Sequence, residues 1–187
     1  MNTAIVAGSL RSIAQRDGVS LAESFLSADV ICIVDVSGSM DSHDSRGDRK
    51  RYDVACEELA RLQSEMPGKI TVVAFSDTVR FCPGGVPVFE GCGTDLAEAL
   101  KFVKVADGTV RFIVISDGMP NDRDRALAIA KTFKSVIDVV YVGSESDRSG
   151  AHFLRQLAAA AGGHFVVAAR ATELAEKAKS LMLSAGR

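Results

Sequence analysis

The sequence predicts an α/β fold: a three-layer, doubly wound (Rossmann-like) and mostly parallel sheet of about six strands with helices on both faces. Three observations predict it. Short apolar runs, such as those at 30–34, 70–75 and 110–115, alternate with segments in which apolar residues recur at helical spacing. The first run is apolar along its whole length and the other two nearly so, as strands covered on both faces are. The chain has 187 residues, of which 47% are hydrophobic, enough for one domain with a full core.

Residues 1–28 are expected to form an N-terminal helical extension packed on the outside of the domain, which comprises residues 29–187. Apolar residues in the extension recur at near-helical spacing, interrupted by Asp17-Gly18. Ser20 and Glu23 have the spacing of a capping box, in which two residues satisfy backbone N–H groups at the start of a helix. An arm that binds a partner is the alternative for this extension.

The first half of the domain is expected to begin with a strand at 30–34, which is entirely apolar. A helix is expected at 51–66, because apolar residues recur along one side and Pro67-Gly68 supplies a stop signal. The apolar run at 70–75 predicts the second strand. Two further short strands are expected about a Gly-Gly turn, at 78–81 and 86–89.

The second half of the domain continues the alternation. Gly162-Gly163 supplies a helix stop, and Thr172 is a suitable N-cap for a last helix that runs to about Leu183. The remaining elements are predicted to be helices at 96–103, 123–133 and 151–161 and strands at 110–115, 136–142 and 164–167.

Oxygen-bearing side chains follow two of the apolar runs, where each strand is expected to end. Asp35, Ser37 and Ser39 come directly after the first run, and Ser116 and Asp117 follow the run at 110–115. In doubly wound sheets, ligands bind beyond the carboxyl ends of the strands, near the point where the strand order reverses. We therefore expect these side chains to converge at one edge of the sheet.

Thr94 and Asp95 stand at a glycine-rich helix start between these two segments. A loop from there that reached the same edge would complete a set of carboxylates and hydroxyls without histidine or thiolate. Such hard oxygen ligands suit Mg²⁺, Mn²⁺ or Ca²⁺ rather than zinc or copper. Local explanations stay open for each residue: turns at Asp35 and Asp117, backbone hydrogen bonds from the serines, and an N-cap at Thr94 or Asp95.

The segments DVSGSM, GTDL and ISDG, in this order, resemble the metal-ion-dependent adhesion site of von Willebrand factor type A domains. The pattern of that family is Asp-x-Ser-x-Ser, followed by a distant Thr and a distant Asp. Asp35, Ser37, Ser39, Thr94 and Asp117 match it residue by residue, without departure. The resemblance therefore implies a metal site made of these five residues.

The resemblance extends from about residue 29 to about residue 183. The segment VVAFSD at 72–77 also looks like the second strand of bacterial members, and the likeness is to stand-alone bacterial or phage proteins. The fold that it implies is a doubly wound sheet of about six strands with the site at the carboxyl edge. This agrees with the alternation of elements read from the apolar periodicity.

The resemblance also implies a role for each site residue. Ser37 and Ser39 would bind the metal directly, Thr94 directly or nearly so, and Asp35 and Asp117 largely through water and hydrogen bonds. Neutral hydroxyls cancel little of the charge of the ion, so the metal stays electrophilic and keeps one position open. An Asp or Glu of a protein partner could fill that position on Mg²⁺, the metal we expect, with Mn²⁺ or Ca²⁺ as alternatives.

The expected function is a metal-dependent protein–protein interaction module, an adaptor and not an enzyme. The resemblance implies partners such as an AAA+ ATPase or a component of a stress or conflict system. The alternative is a Mg²⁺-dependent hydrolase or phosphoryl-transfer enzyme with Asp35 as nucleophile. Haloacid-dehalogenase-like enzymes, however, carry a second Asp where Ser37 stands here. The sequence also contains no Walker loop, no G-x-G-x-x-G after a strand and no nucleophile elbow.

Charge gives no support to nucleic-acid binding, because the formal net charge is -2. Basic residues cluster at Arg46, Arg49, Lys50 and Arg51, which we interpret as a solvated helix start. The Arg-Gly-Asp tripeptide that begins at Arg46 is of a kind that occurs often by chance, and we give it no adhesive meaning. None of the three histidines has an evident partner for general-base catalysis.

The cysteines and the N-terminus bear on the compartment. None of the four cysteines falls in a C-x-x-C pair, which makes zinc unlikely to be bound. Cys82 and Cys92 flank a loop rich in Gly and Pro, and a bridge between them stays an open alternative. The N-terminus lacks the basic start of a signal peptide, and no apolar run approaches the roughly 18 residues that span a bilayer. We therefore expect a cytoplasmic protein that binds no membrane.

Overall fold

The apolar runs of the sequence form the strands of one sheet in the computed structural model, which describes residues 5–144 and 146–168. The strand order is β3-β2-β1-β4-β5-β6, and every neighbouring pair is parallel except β2 and β3. The predicted α/β fold class is therefore confirmed. The strands are β1 (Val30–Asp35), β2 (Ile70–Phe75), β3 (Val79–Phe81), β4 (Arg111–Ser116), β5 (Ile137–Tyr141) and β6 (Phe165–Val167).

Helices cover both faces of the sheet, as the all-apolar strands predicted. α3 packs on one face, and α4, α5 and α6 pack on the other. The last helix predicted from the sequence, which begins at Thr172, lies outside the described residues. The helices are α1 (Leu10–Asp17), α2 (Leu21–Leu26), α3 (Arg51–Glu65), α4 (Leu96–Val103), α5 (Arg123–Ala130) and α6 (Arg148–Ala160).

The core consists of two apolar clusters, one on each face of the sheet. Alternate residues of a strand point to opposite faces, so Ile31 and Ile33 of β1 contribute to the cluster under α4–α6, while Val34 contributes to the cluster under α3. All three are buried. Burying an aliphatic side chain of this size stabilises the fold by roughly 1.5–3 kcal/mol, so the central strand is firmly held.

The N-terminal region contains two helices, and the second carries the capping box that the sequence predicts. The capping box of α2 is present, with Ser20 accepting from the backbone of Glu23 and the Glu23 carboxylate accepting from the backbone of Ser20. Backbone hydrogen bonds join the region to the following chain, from Gly68 N to Gly8 O at 2.8 Å and from Arg11 N to Pro83 O at 3.0 Å. The division at residue 28 stays a prediction.

The second of the two predicted short strands is absent, and the first pairs differently. β3 lies antiparallel to β2 as an edge strand, whereas 86–89 is irregular. Pro87 has no backbone N–H to donate to a ladder. Its carbonyl accepts a hydrogen bond from the Tyr52 hydroxyl at 2.7 Å, and the N–H of Glu90 donates to Val36 O at 3.1 Å. The segment is therefore held by the chain that leaves β1.

The strand order places the ends of β1 and β4 side by side. The chain moves from β1 to β2 on one side of it and returns to β4 on the other, so the order reverses at this pair. Val34 is in register with Ile115, one residue before each strand ends. The crevice that forms at such a reversal is where doubly wound folds bind ligands, and Asp35 and Asp117 flank it.

Candidate functional site

Asp35 is the last residue of β1, and its side chain is completely buried. Its Oδ1 atom accepts a hydrogen bond from the N–H of Ser37 at 3.0 Å, and its Oδ2 atom accepts one from the Ser116 hydroxyl at 2.7 Å. Burial raises the pKa of Asp35 to about 6, assisted by the negative charge of Asp117 and opposed by these hydrogen bonds. The carboxylate is thus fixed in direction and short of positive charge.

Ser37 and Ser39 bring two hydroxyls together directly after Asp35. Their Oγ atoms lie 3.3 Å apart, because Ser37 is extended and the chain then enters a short 3-10 turn at Gly38–Asp41. Ser37 is buried, and Ser39 is half-buried. The spacing of two residues in the sequence has therefore produced a pair of neighbouring oxygen atoms at the mouth of the crevice.

The loop that carries Thr94 reaches the same edge. Gly38 N donates to the carbonyl of Cys92 at 2.8 Å, which joins this loop to the serine turn. Thr94 is 6% exposed, and its backbone is paired with Asn121, which accepts from Thr94 N at 3.1 Å and donates to Thr94 O at 2.9 Å. Asp95 is the N-cap of α4, because its Oδ1 atom accepts from Glu98 N at 2.9 Å. The capping explanation therefore holds for Asp95.

Asp117 follows β4 directly and is completely buried. Its Oδ1 atom accepts from Met119 N at 3.2 Å, and Gly118 N donates to the Ser116 hydroxyl at 3.0 Å, so a tight turn forms. Gly118 has a φ of +80°, and a Cβ there would collide with the Gly150 carbonyl oxygen at the start of α6. Only glycine lets the turn lie this close to the helix.

Arg51 is a member of the site that sequence reasoning missed. It was interpreted as part of a solvated helix start, but it is only 8% exposed and points inward. Its Nη1 atom donates to Asp117 Oδ2 at 2.7 Å, and its Nε and Nη2 atoms donate to the two oxygens of Asp44 at 2.6 and 2.7 Å. These hydrogen bonds, with Asp44 first, raise the pKa of Arg51 above its usual value.

No sequence signal relates Arg51 to Asp117, because the two residues are 66 positions apart. The rest of the basic cluster is paired locally: Arg46 contacts Glu57 and Glu58, while Lys50 contacts Asp41. The Arg-Gly-Asp tripeptide therefore has its arginine engaged by the protein itself.

The charge at the crevice is suited to a hard cation. Asp35 and Asp117 bring two buried negative charges and Arg51 brings one positive charge, which leaves one carboxylate unbalanced. A buried charge without a counter-charge is costly. Hydroxyl and carboxylate oxygens are the donors that Mg²⁺, Mn²⁺ and Ca²⁺ prefer. Within 5–144 and 146–168, no three or more His, Cys, Asp or Glu side chains cluster as a metal-binding group.

Two further sequence questions have structural answers. All four cysteines are free thiols, so Cys82 and Cys92 are not bridged. Among the described residues, none of the helices has the length and apolar character that crossing a membrane demands.

No protein-family model and no curated protein matches the sequence. An aerotolerance-related membrane protein from Bacteroides fragilis, with multiple mutations to serines, has a TM-score of 0.66 at 17% identity, covering 82% of this chain and 97% of that chain. The von Willebrand factor domain of the type V pili tip protein Mfa5 from Porphyromonas gingivalis has a TM-score of 0.63 at 11% identity, covering 84% and 95%.

A manganese-loaded TRAP protein from Plasmodium vivax is also similar. Its TM-score is 0.55 at 17% identity, with 79% of this chain and 71% of that chain covered. At identities this low, the likeness is one of fold alone. The fold of this chain is that of von Willebrand factor type A domains.

Proposed function

We propose that the protein is a divalent-metal-dependent module for protein–protein interaction, and that the partner supplies an Asp or Glu to the metal. Ser37, Ser39 and Thr94 would hold Mg²⁺ (or Mn²⁺ or Ca²⁺), with Asp35 and Asp117 orienting them and the waters of the ion. The bound ion would supply an electrophilic position that a carboxylate oxygen can occupy.

One observation carries this proposal: two neighbouring serine hydroxyls lie beside a buried, undercompensated carboxylate at the point where the strand order reverses. The loop with Thr94 is hydrogen-bonded to the same turn. Turn formation alone would require neither the convergence of three loops nor the burial of a second carboxylate. A structure of the same fold that is loaded with manganese adds support.

The enzyme alternative is disfavoured by the state of Asp35. Both of its oxygens already accept hydrogen bonds, and the side chain is completely buried, so it is poorly placed to attack a substrate. His164 contacts Asp138 at the amino end of the sheet, whereas the crevice lies at the carboxyl end. His43 and His152 are exposed. Among the described residues, the histidine that has a carboxylate partner therefore lies at the other end of the sheet from the crevice.

A nucleic-acid partner is likewise disfavoured. The basic residues beside the crevice, including Arg46, Arg49 and Lys50, are engaged by carboxylates of this chain. Phosphate binding would have to break these pairs. We place the protein in the cytoplasm, where a reducing medium suits four free thiols. The partner class remains that implied by the resemblance, an AAA+ ATPase or a component of a stress or conflict system.

The proposal is tested by thermal unfolding of the chain stripped with EDTA and then titrated with MgCl₂ or MnCl₂. Either metal should raise the Tm, and the double variant Asp35→Ala with Ser37→Ala should abolish the rise. The matched control is Asp41→Ala with Ser42→Ala, which removes the same groups from exposed positions and should keep it. An unchanged response in the first variant would refute the site.

The class of function needs a second experiment. Capture of one host protein by the immobilised chain in Mg²⁺, with release by EDTA and no capture by the Asp35/Ser37 variant, is the result expected of an adaptor. Mg²⁺-dependent turnover of a generic phosphoester that disappears in Asp35→Asn would instead establish the enzyme.

A further inference from the structure

The guanidinium of Arg51 occupies an unusual place for an arginine, between a buried carboxylate of the site and a neighbouring loop. We propose that Arg51 is a positioning residue that serves as a built-in counter-cation for Asp117, and that a divalent metal competes with it for the charge of that carboxylate. The inference rests on the proposed function, since it concerns the same site.

The contact with Asp117 has the geometry of a strong interaction. Arg51 Nη1 lies 2.7 Å from Asp117 Oδ2, and both side chains are buried, so solvent screens the pair little. Met119 N holds the other oxygen of Asp117 at 3.2 Å. The carboxylate is therefore oriented and neutralised without any metal, and the site is preformed.

Asp44 shares the same guanidinium from the other side. It accepts from Arg51 Nε and Nη2, and its side chain is 43% exposed. It stands in the segment 42–49, where Ser45 and Arg49 pair their backbones in a small antiparallel bridge. Arg51 thus divides its charge between this segment and the crevice.

Removing Arg51 and removing Asp44 should change the metal affinity of the site in opposite directions. Without Arg51, Asp117 and Asp35 are two buried carboxylates that have lost their cationic partner, and a divalent metal meets no fixed positive charge there. Without Asp44, the guanidinium keeps Asp117 as its only carboxylate partner, beside the carbonyl of Ser39 at 3.4 Å, and opposes a second cation more strongly. Arg51→Gln should therefore tighten metal binding, and Asp44→Asn should weaken it.

The experiment uses the full chain, stripped with EDTA, with Tm and calorimetric titration by MgCl₂ as readouts. Arg51→Gln should lower the Tm of the metal-free protein and make the Mg²⁺ Kd roughly tenfold smaller, because one positive charge near the ion is lost. Asp44→Asn should make the Kd larger. Arg51→Lys keeps the charge and should restore a Kd near the wild-type value.

Controls remove charges of the same kind from the chain before α3, at positions that do not contact Asp117. Arg49→Gln breaks a pair with Glu57, and Asp41→Asn breaks a pair with Lys50. Because these groups are more exposed and more screened, each should change the Kd by less than about threefold.

A Kd for Arg51→Gln that equals or exceeds the wild-type value would overturn the inference and leave Arg51 a purely structural residue. If Arg51→Gln fails to fold, an Asp44→Asn Kd equal to or below that of the wild type does the same. A wild-type chain that ignores Mg²⁺ while Arg51→Gln responds would refute the proposed function but support the counter-cation. If neither the wild type nor Arg51→Gln responds to Mg²⁺, the proposed function and the counter-cation inference are both refuted.

Discussion

The hydroxyl of Ser116 donates to Asp35 Oδ2 at 2.7 Å and so joins the ends of β4 and β1. Its oxygen also accepts from Gly118 N at 3.0 Å. One side chain therefore holds both the buried carboxylate and the turn that carries Asp117.

Replacing Ser116 with alanine should destabilise the protein by about 1–3 kcal/mol, because a buried carboxylate loses a hydrogen bond. Urea denaturation measures this, and the rise of Tm with Mg²⁺ should shrink in parallel. The matched control is Ser24→Ala, which removes a buried hydroxyl that has no hydrogen-bond partner among the described residues. It should be close to neutral. Equal losses in both variants would show that the contact with Asp35 contributes nothing.

The pKa of Asp35 gives the metal-free protein a defined pH dependence. The folded-state pKa is about 6, above the ordinary 3.8, so the folded state holds the proton more tightly than the unfolded state does. Stability from this group is therefore full below pH 3.8 and is lost as the pH rises to about 6, by about 3 kcal/mol in all.

The measurement is the difference in unfolding free energy between wild type and Asp35→Asn in EDTA, from pH 3.5 to pH 8. Asn cannot titrate, so the wild type should lose stability relative to the variant between pH 3.8 and about pH 6. Above that range, the difference in unfolding free energy should stay constant. A difference that is constant with pH would contradict the raised pKa.

Gly118 should be intolerant of a side chain. Gly118→Ala combines backbone strain with a collision against the Gly150 carbonyl, so we expect a loss well above about 2 kcal/mol and a weaker Mg²⁺ response. Gly108→Ala separates the two causes. Its φ is +87° but no atom lies within 4 Å of a Cβ, so only the strain of about 1–2 kcal/mol applies. Similar losses at the two glycines would contradict close packing at Gly118.

The opposite end of the sheet supplies a test of independence. Arg111 Nη2 donates to the buried Asp138 at 2.7 Å, and the His164 backbone donates to the other oxygen at 2.9 Å. Arg111→Leu leaves the buried Asp138 carboxylate without its arginine, held only by the backbone and ring of His164, and should cost roughly 3 kcal/mol in urea denaturation. The increase of Tm with Mg²⁺ should be unchanged. A lost metal response would mean that the two ends are coupled.

The central strands of the sheet could be predicted from the sequence because they are largely apolar on both faces, a pattern that is visible without knowledge of their partners. The irregular segment at 86–89 could not, since its conformation depends on a hydrogen bond from Tyr52 and on the carbonyl of Val36. Apolar alternation there resembles a strand. Pro87 was the local sign against it.

The residues of the site also fall into those that the sequence pattern reveals and those that only the structure relates to one another. Asp35, Ser37 and Ser39 are close in sequence, so their relation to a strand end is visible in a linear pattern. The structure adds Arg51 to this set and gives Ser116 its contact with Asp35. Arg51 and Ser116 act on partners that are 66 and 81 positions away, respectively. A serine in a strand or an arginine at a helix start carries no mark of such a contact, because the partner is chosen by the topology.

The pairing of β1 with β4 has a kinetic consequence. Their contact closes a loop of some 80 residues, which includes α3, β2, β3 and α4. Long-range closures of this kind are late and slow in folding. A nascent chain therefore has no crevice until β4 has been made and has docked. Any cation that binds in the crevice therefore binds only after β4 has docked against β1, and it stabilises the folded state without guiding the earlier steps of folding.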